Sequence, residues 1–149
     1  MLGKSGCREC SKIDNSGKNH YNWKGGESEV IDILRKSIKE WKKEVLLRDD
    51  FKCWITDSKK DLIVHHLKSF NTILNEASLN TGIPVLRKLS DYHNIEDFYI
   101  LQKELIKLHT IECGITLTRE IHNKFHSLYG KGNNTPEQFE EFFLLYDKR

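Results

Sequence analysis

The amino-acid sequence predicts an α+β fold in which a small β element is surrounded by helices. Apolar residues recur at helical spacing between Ile31 and Val45, which is typical of an amphipathic helix packed on a core. Two short runs, 62–64 and 115–117, are rich in β-branched residues and favour strands. Histidines follow both runs, so we expect any functional site to lie near these strands.

The composition is that of one globular domain, with or without an appendage. The chain has 149 residues, of which 38% are hydrophobic and 31% charged. Its apolar runs are far shorter than the ~20 residues of a membrane span, and residues 1–4 show no apolar signal segment. We therefore expect a cytoplasmic protein without membrane association. Its four cysteines, Cys7, Cys10, Cys53 and Cys113, are then expected to be reduced or metal-bound.

Positive charge is concentrated at the N-terminal end of the chain. The formal net charge is +2 overall, whereas residues 1–26 carry five basic and two acidic side chains. These residues are rich in Gly, Ser and Asn and end in Gly25-Gly26, which predicts an extended basic arm ahead of a domain spanning 27–149. Such an arm suits a polyanionic partner, although a solvated charged surface is the ordinary alternative.

The domain is predicted to open with a long helix. Ser28 is suited to cap it, Glu29 lies in its first turn, and its apolar residues continue to Val45 before an end near residues 48–50. The runs 51–55 and 61–67 then flank a polar pentapeptide, which predicts a β-hairpin.

Residues 69–110 are predicted to form a helical insertion. One apolar face runs from Phe70 to Ala77, a break follows at residues 81–84, and a second face runs from Phe98 to Leu108. Both stretches have the length and spacing of ordinary helices.

The last third of the chain is predicted to contain a strand and two helices. The strand-like run 115–117 leads into a helix that Thr118 can cap. After a loop at 130–134, the sequence Thr135-Pro136-Glu137-Gln138 combines a capping residue, a proline at the first helical position and a capping-box glutamine.

Four of the seven histidines form two tight groups. His122 and His126 are four residues apart on a predicted helix, so both rings project from one face and could hold one metal ion. His65 and His66 are adjacent on a predicted strand, where neighbouring side chains point to opposite faces. One of them could therefore turn to a metal while the other faces a substrate. Either pair alone is more often a set of hydrogen-bonded core histidines, but the two together favour a site.

These motifs resemble those of HNH endonucleases, with the greatest similarity to small phage-encoded and intron-encoded homing-type enzymes. The resemblance lies in Leu-Ile-Val-His-His-Leu at 62–67, Gly-Ile-Thr-Leu at 114–117, His122-x-x-x-His126, and Tyr-Gly-Lys-Gly-Asn-Asn-Thr at 129–135. Residues 17–26 also resemble a stretch found upstream of such domains. The similarity spans about residues 17–145.

The resemblance implies a ββα-metal (His-Me finger) centre surrounded by helices. By position, His65, His122 and His126 would bind one divalent metal ion, and His66 would be the general base that activates water. The implied substrate is double-stranded DNA, cleaved to 5′-phosphate and 3′-hydroxyl ends by a monomer or homodimer, in the host cytoplasm if the gene is phage-borne. Mg²⁺ or Mn²⁺ is expected, with Zn²⁺ or Ni²⁺ as alternatives. A neutral imidazole titrates near pH 6.5 and can accept a proton at working pH.

The sequence departs from the family pattern at two places. Cys113 occupies the position of the asparagine that normally precedes Gly-Ile-Thr-Leu and braces the hairpin, and a thiol is a weak hydrogen-bonding group. A DNA-binding protein of this fold with little cleavage activity is therefore the alternative function, and a nuclease-type toxin is a third class. Relatives also carry two Cys-x-x-Cys pairs beside the site, where this chain keeps only Cys53, which we expect to be a small core residue.

Further candidate residues lie outside the histidine motifs. Cys7 and Cys10 supply half of a zinc site, with His20 as a third candidate ligand, and free thiols are the alternative. Tyr21 and Trp23 give the basic arm aromatic groups that could lie along a groove or anchor the arm. Candidate phosphate contacts, each also explicable as solvated surface, are Arg48, Lys68, Arg87, Lys124 and Lys131.

Overall fold

The computed structural model of the protein describes residues 28–147, apart from the side chain of Asp147. Within these residues the elements are α1 (Glu29–Ser37), α2 (Lys39–Arg48), β1 (Leu62–His66), α3 (Phe70–Thr81), α4 (Ile95–Leu108), β2 (Gly114–Thr118), α5 (Arg119–Tyr129) and α6 (Pro136–Asp147). Short 3₁₀ turns, Leu89–Asp91 and Ile111–Cys113, flank α4. The predicted α+β class is confirmed. The N-terminal arm, including Cys7, Cys10, His20, Tyr21 and Trp23, lies outside the described residues.

The first predicted helix is present but is divided into α1 and α2. The Ser28 side chain accepts a hydrogen bond from the backbone N–H of Ile31 at 3.4 Å, as expected of a capping residue. The chain leaves helical geometry at Ile38 (φ −92°, ψ 18°). The Ser37 hydroxyl donates to the Leu34 carbonyl at 2.7 Å, and such back-bonding by serine bends helices. The buried face still continues across the bend.

The sheet pairs β1 with β2, so the predicted hairpin between 51–55 and 61–67 is wrong. The two strands are antiparallel, with Leu62 opposite Thr118 and His66 opposite Gly114. Left-handed φ angles of about 50° at Asp50 and Phe51 turn the chain out of an extended conformation before it could pair.

Residues 49–54 instead cover the outer edge of β2. The backbone N–H of Trp54 donates to the carbonyl of Thr116, and the N–H of Thr116 donates to the Asp49 carboxylate, each at 2.9 Å. The Asp49 side chain is only 2% exposed and also accepts hydrogen bonds from the Arg48 guanidinium. Burial alone would raise the pKa of Asp49, but the hydrogen bonds from Arg48 and Thr116 outweigh it and lower the pKa. The edge of the sheet is therefore protected without a third strand.

The predicted helical insertion, residues 69–110, lies between the two strands along the chain. It contains α3, capped by Ser69 and ended by Gly82 in a left-handed conformation (φ 71°), and α4, capped by Asn94. The insertion returns to its starting point, because the N–H of Leu67 donates to the carbonyl of Cys113 at 2.8 Å.

The sheet separates two buried clusters. On one side, α1 and α2 pack with α3 and α4 around Leu34, Trp41 and Leu101. On the other side, α5 and α6 pack on Ile115 and Leu117. Alternation along β1 therefore directs His65 and His66 to different sides of the sheet.

The two C-terminal helices begin as the sequence predicts. Thr118 caps α5 by accepting from the N–H of Ile121 at 3.2 Å. Thr135 and Gln138 form the expected reciprocal capping box at α6, with each side chain accepting from the other residue's N–H. None of the helices within 28–147 is both long and apolar enough to cross a bilayer.

Replacing Gly114 with alanine is expected to destabilise the fold. A Cβ at this position would lie 2.6 Å from the Trp41 ring and 3.1 Å from Val45. Trp41 is 4% exposed and donates to the Thr110 carbonyl at 2.7 Å, so it has little room to shift. We expect a loss of about 1–3 kcal/mol in unfolding free energy, measured by urea denaturation. Gly132→Ala is the matched control, because nothing lies within 4 Å of its added Cβ; equal stability of the two variants would contradict the close fit.

Candidate metal centre and adjoining cleft

Three imidazoles meet where β1 approaches α5. His122 and His126 project from one face of α5, and their Nε2 atoms lie 3.0 Å apart. His65, only 3% exposed, comes from β1, and one ring nitrogen from each of the three histidines lies within 4.8 Å of the other two. The two predicted histidine groups are therefore brought together in space. Three convergent imidazole nitrogens are a donor set suited to one divalent ion with open coordination positions.

The orientation of His126 is fixed from the end of its own helix. Its Nδ1 lies 2.7 Å from the carbonyl oxygen of Gly130. A carbonyl only accepts, so Nδ1 carries the proton and Nε2 is left with its lone pair directed toward His122. A backbone carbonyl that holds the second nitrogen of a histidine is a common support for a metal ligand.

The surroundings keep His65 and His122 neutral. Phe125 and Phe139 lie against the His65 ring at centroid distances of 4.6 and 5.7 Å. Burial, followed by the charges of His122 and His126, lowers the pKa of His65 to about 3. Burial and His126 likewise lower the pKa of His122 to about 4. The Nε2 of His65 is buried and has no hydrogen-bond partner among the described residues, which leaves its lone pair available.

His66 lies on the other side of β1 in an aromatic enclosure. Its ring centroid is 4.6 Å from that of Trp41, 5.5 Å from His109 and 6.2 Å from Phe70. Burial, then the charges of His109, Lys42 and Arg35, lowers the pKa of His66 to about 3. Its Nε2 is also buried without a partner in the described part of the chain. The neutral ring is thus held in place by packing.

Sequence reasoning missed His109, which helps to enclose His66. His109 is 5% exposed, its Nδ1 donates to the Leu105 carbonyl at 2.8 Å, and its ring meets Trp41 edge-on at 5.0 Å. The available signal was its position four residues after Leu105 on the buried face of α4. Nothing else in the sequence indicates that this single histidine, at the end of an apolar stripe, lies beside His66.

All four motif histidines line one cleft of about 200 Å³. Arg35 from α1 and Lys131 from the loop after α5 supply its cationic side chains. Arg35 also packs over the Phe70 ring, with its guanidinium carbon 5.4 Å from the ring centroid. Sequence reasoning identified Lys131 but missed Arg35, because nothing local relates α1 to the histidines. The other lining residues are Val64, Ser69, Phe70, Asn71, Gly132, Asn133 and Asn134.

Cys113 braces the strand that carries the doublet through its backbone. Its carbonyl accepts from Leu67, whereas its Sγ lies 3.7 Å from the Leu108 carbonyl and 3.4 Å from the Thr110 hydroxyl. The thiol therefore points into the insertion and makes no hydrogen bond to β1 within the described structure.

Cys53 is a buried core residue, as predicted. It is 0% exposed and belongs to the cluster beneath α5. Burial would raise the pKa of its thiol, but hydrogen bonds from the Thr56 side chain and from the backbone of Ile55, Thr56 and Thr118 lower it. Both cysteines in the described range, Cys53 and Cys113, are free thiols.

Three of the other predicted DNA contacts have side chains that bind carboxylates of the protein itself. Arg48 binds the Asp49 carboxylate and donates to the carbonyls of Ile111 and Gly114, so its guanidinium stabilises the sheet edge rather than facing the histidine cleft. Arg48 is not among the residues that line the histidine cleft, and its role as a DNA contact stays a prediction. Lys68 forms an ion pair with Glu76, and Lys124 with Glu120.

The backbone of Arg87 contacts the first residues of α1. Its backbone carbonyl accepts from the N–H of Val30 and from the Ser28 hydroxyl, which fixes the start of α1. Its side chain is exposed.

Comparison with known proteins gives one informative similarity. Over 82 residues the chain is 44% identical to the SPbeta prophage-derived uncharacterized protein YomD of Bacillus subtilis (strain 168). The aligned segment covers 54% of this chain and 30% of that relative's length. No family model and no solved structure matches the chain. The prophage origin of the relative agrees with the phage-related source expected from the sequence.

Loss of one helix ligand is expected to weaken metal binding. In His122→Ala, one of three convergent nitrogens is removed, so the dissociation constants for Zn²⁺ and Ni²⁺ should rise by about tenfold or more. Isothermal titration calorimetry measures the change. His93→Ala is the matched control, since His93 is exposed and lies outside the three-histidine group. Unchanged affinity in His122→Ala would contradict the assignment of the helix pair as ligands.

The stability of the metal-free protein should fall as the pH is lowered from 6.5 toward 5. His65 has a pKa near 6.5 when unfolded and about 3 when folded, so the unfolded state binds about half a proton more at pH 6.5 and about one more at pH 5. Protonation therefore favours unfolding. In His65→Phe the drop in unfolding free energy over this window should be smaller by on the order of 1 kcal/mol. Urea denaturation in EDTA measures it, with His93→Phe as the control; identical pH profiles for wild type and His65→Phe would contradict the buried neutral state.

Proposed function

We propose that this protein is a metal-dependent DNA endonuclease of the HNH type, with a ββα-metal centre built from β1, β2 and α5. One observation carries the proposal. A group of three imidazoles and a separately enclosed fourth imidazole, His66, open onto the same cleft. This arrangement separates a cation site from a proton acceptor, and hydrolysis of a phosphodiester needs both.

The residues present suit a bound divalent cation. His65, His122 and His126 would hold it, since the Nε2 of His65 is buried without a partner in residues 28–147 and His126 has its Nδ1 committed to Gly130. When bound, such a cation would stabilise negative charge on a phosphate and on its leaving oxygen. The imidazole set favours Zn²⁺ or Ni²⁺ for affinity, whereas Mg²⁺ and Mn²⁺ more often take oxygen ligands.

His66 is proposed to accept the proton of the attacking water. Its low pKa makes the neutral, proton-accepting ring the resting form. A DNA phosphate entering the cleft brings negative charge, which stabilises the imidazolium and raises the pKa toward the working range. Trp41 and His109 hold the ring by packing, so its orientation would not depend on the missing asparagine.

The cations of the cleft are proposed to hold the scissile phosphate. Arg35 approaches from α1 and Lys131 from the loop after α5, so the two lie on different elements that border the histidines. A guanidinium presents paired donors that match phosphate oxygens, and an ammonium adds a mobile positive charge. Contacts of this kind fix position on the backbone without reading sequence.

A DNA-binding protein that cleaves weakly is the second candidate, and Cys113 favours it. Its thiol faces Leu108 and Thr110 rather than the strand that carries the doublet. Among the described residues, Cys113 therefore braces that strand through its backbone bond with Leu67 and not through its side chain.

His66→Ala is expected to abolish plasmid nicking while leaving metal and DNA binding intact. Removal of the imidazole deletes the proton acceptor but none of the three proposed ligands, and a loss of about 10²–10⁴-fold in rate is typical of a general base. The assay follows conversion of supercoiled plasmid to nicked circles with Mg²⁺, Mn²⁺, Ni²⁺ and Zn²⁺ in parallel. His93→Ala serves as the control. Nicking that persists in His66→Ala would remove His66 from the mechanism.

Cys113→Asn in the same assay separates the two candidate functions. An endonuclease that already cleaves should keep or gain activity, since an amide can add hydrogen bonds that a thiol lacks. A wild-type protein that binds DNA without nicking it, and gains nicking with Cys113→Asn, would support the second candidate.

A further inference from the structure

A cationic face on α1 and α2 adjoins the histidine cleft but is not part of it. Arg35, Lys36, Lys39 and Lys42 are exposed and line a shallow cleft of about 400 Å³ together with Asp32. Among the described residues, none of these four side chains forms an ion pair with a carboxylate. Four cations grouped around one acidic residue repel one another, so an anionic partner would stabilise them.

The cations are arranged along a line that leads toward His66. Arg35, Lys39 and Lys42 are spaced at i, i+4 and i+7, so they share one side of the bent helix pair over about 10 Å. Arg35 lines both this cleft and the histidine cleft. Lys42 and Arg35 are also close enough to His66 for their charges to act on it. The basic face and the proposed active site are therefore continuous.

The lining favours a phosphate backbone over other anionic partners. All five lining side chains are charged, and the aliphatic stems of the arginine and the lysines supply its apolar surface. The cleft therefore contains no apolar residue of the kind that anchors a protein partner. It also contains no aromatic ring on which unpaired bases could stack, as single-strand binders commonly use. A row of ammonium and guanidinium groups on one helix face complements the repeating negative charge of a duplex.

We propose that the α1–α2 face binds the phosphate backbone of double-stranded DNA and leads one strand into the histidine cleft. This rests on the proposed nuclease function and extends it by assigning the positioning surface. Lys36, Lys39 and Lys42 are the positioning residues, because they contact DNA outside the reacting phosphate. Arg35 connects this surface to the cleft.

The test compares two triple variants of the full chain that lose the same charge. Lys36→Gln/Lys39→Gln/Lys42→Gln removes the face, whereas Lys59→Gln/Lys103→Gln/Lys107→Gln removes exposed lysines that line neither cleft. Fluorescence anisotropy with a labelled 30-base-pair duplex in EDTA gives the dissociation constant as a function of salt. Both variants retain residues 1–27, so any contribution of that basic segment cancels.

We expect the first variant to bind at least about tenfold more weakly near 0.1 M salt, with the slope of log K against log salt reduced by about 2–3. The control should change the slope by less than about 1. Circular dichroism and urea denaturation establish that both variants fold. A slope equal to that of wild type, an equal effect in the control, or no duplex binding by wild type would overturn the assignment. Displacement of the duplex by polyglutamate at equal charge concentration would also overturn it, in favour of an acidic protein partner.

The outcome is separable from that of the nuclease proposal, because binding is measured without metal. If wild type nicks plasmid and the first variant binds the duplex like wild type, the surface assignment fails and the nuclease stands. If binding depends on these lysines but no metal supports nicking, the surface stands and the nuclease fails.

Discussion

The antiparallel register of β1 and β2 is the constraint on which the candidate site depends. It places His65 opposite Ile115, and α5 begins directly after β2, so the distance along the chain from the ladder to His122 is short and fixed. A slip of one residue would exchange the sides on which His65 and His66 lie. Backbone hydrogen bonds just beyond the two ends of the ladder continue this register: the N–H of Arg119 donates to the Asp61 carbonyl, and the N–H of Leu67 donates to the Cys113 carbonyl.

The alternation of a strand gives two adjacent histidines different chemistry. His65 enters the cluster beneath α5 and meets two further imidazoles, while His66 enters the opposite side and meets Trp41 and His109. Both rings are kept neutral by burial, but only one has nitrogen neighbours placed to share an ion. In the proposed mechanism, two identical adjacent residues would therefore act as a metal ligand and as a free base.

Features encoded by local spacing could be predicted, and features that depend on distant partners could not. The apolar stripes, the caps at Ser28 and Thr118 and the capping box at Thr135 followed from short-range patterns. The hairpin was wrong because strand propensity does not identify the pairing strand, and the true partner of β1 lies beyond the insertion.

The same limit applies to the site. Arg48 looked like an available cation, but its carbonyl partners at Ile111 and Gly114 are more than sixty residues away. Arg35 carried no periodic signal and His109 carried only its spacing from Leu105. Their place beside His66 therefore became visible only when α1, α4 and β1 were assembled.

The two ends of the insertion meet at Leu67 and Cys113, and this contact affects the order in which the chain folds. The strands are joined through residues 67–113, so their ladder is a non-local contact whose formation costs loop-closure entropy. The α3–α4 pair forms from nearer contacts, and its return to Leu67 brings the ends of the strands together in advance. We therefore expect the insertion to act as a folding scaffold for the ladder. On that route the imidazoles converge late, so an ion at the proposed site would not be needed to start folding and would act chiefly to slow unfolding.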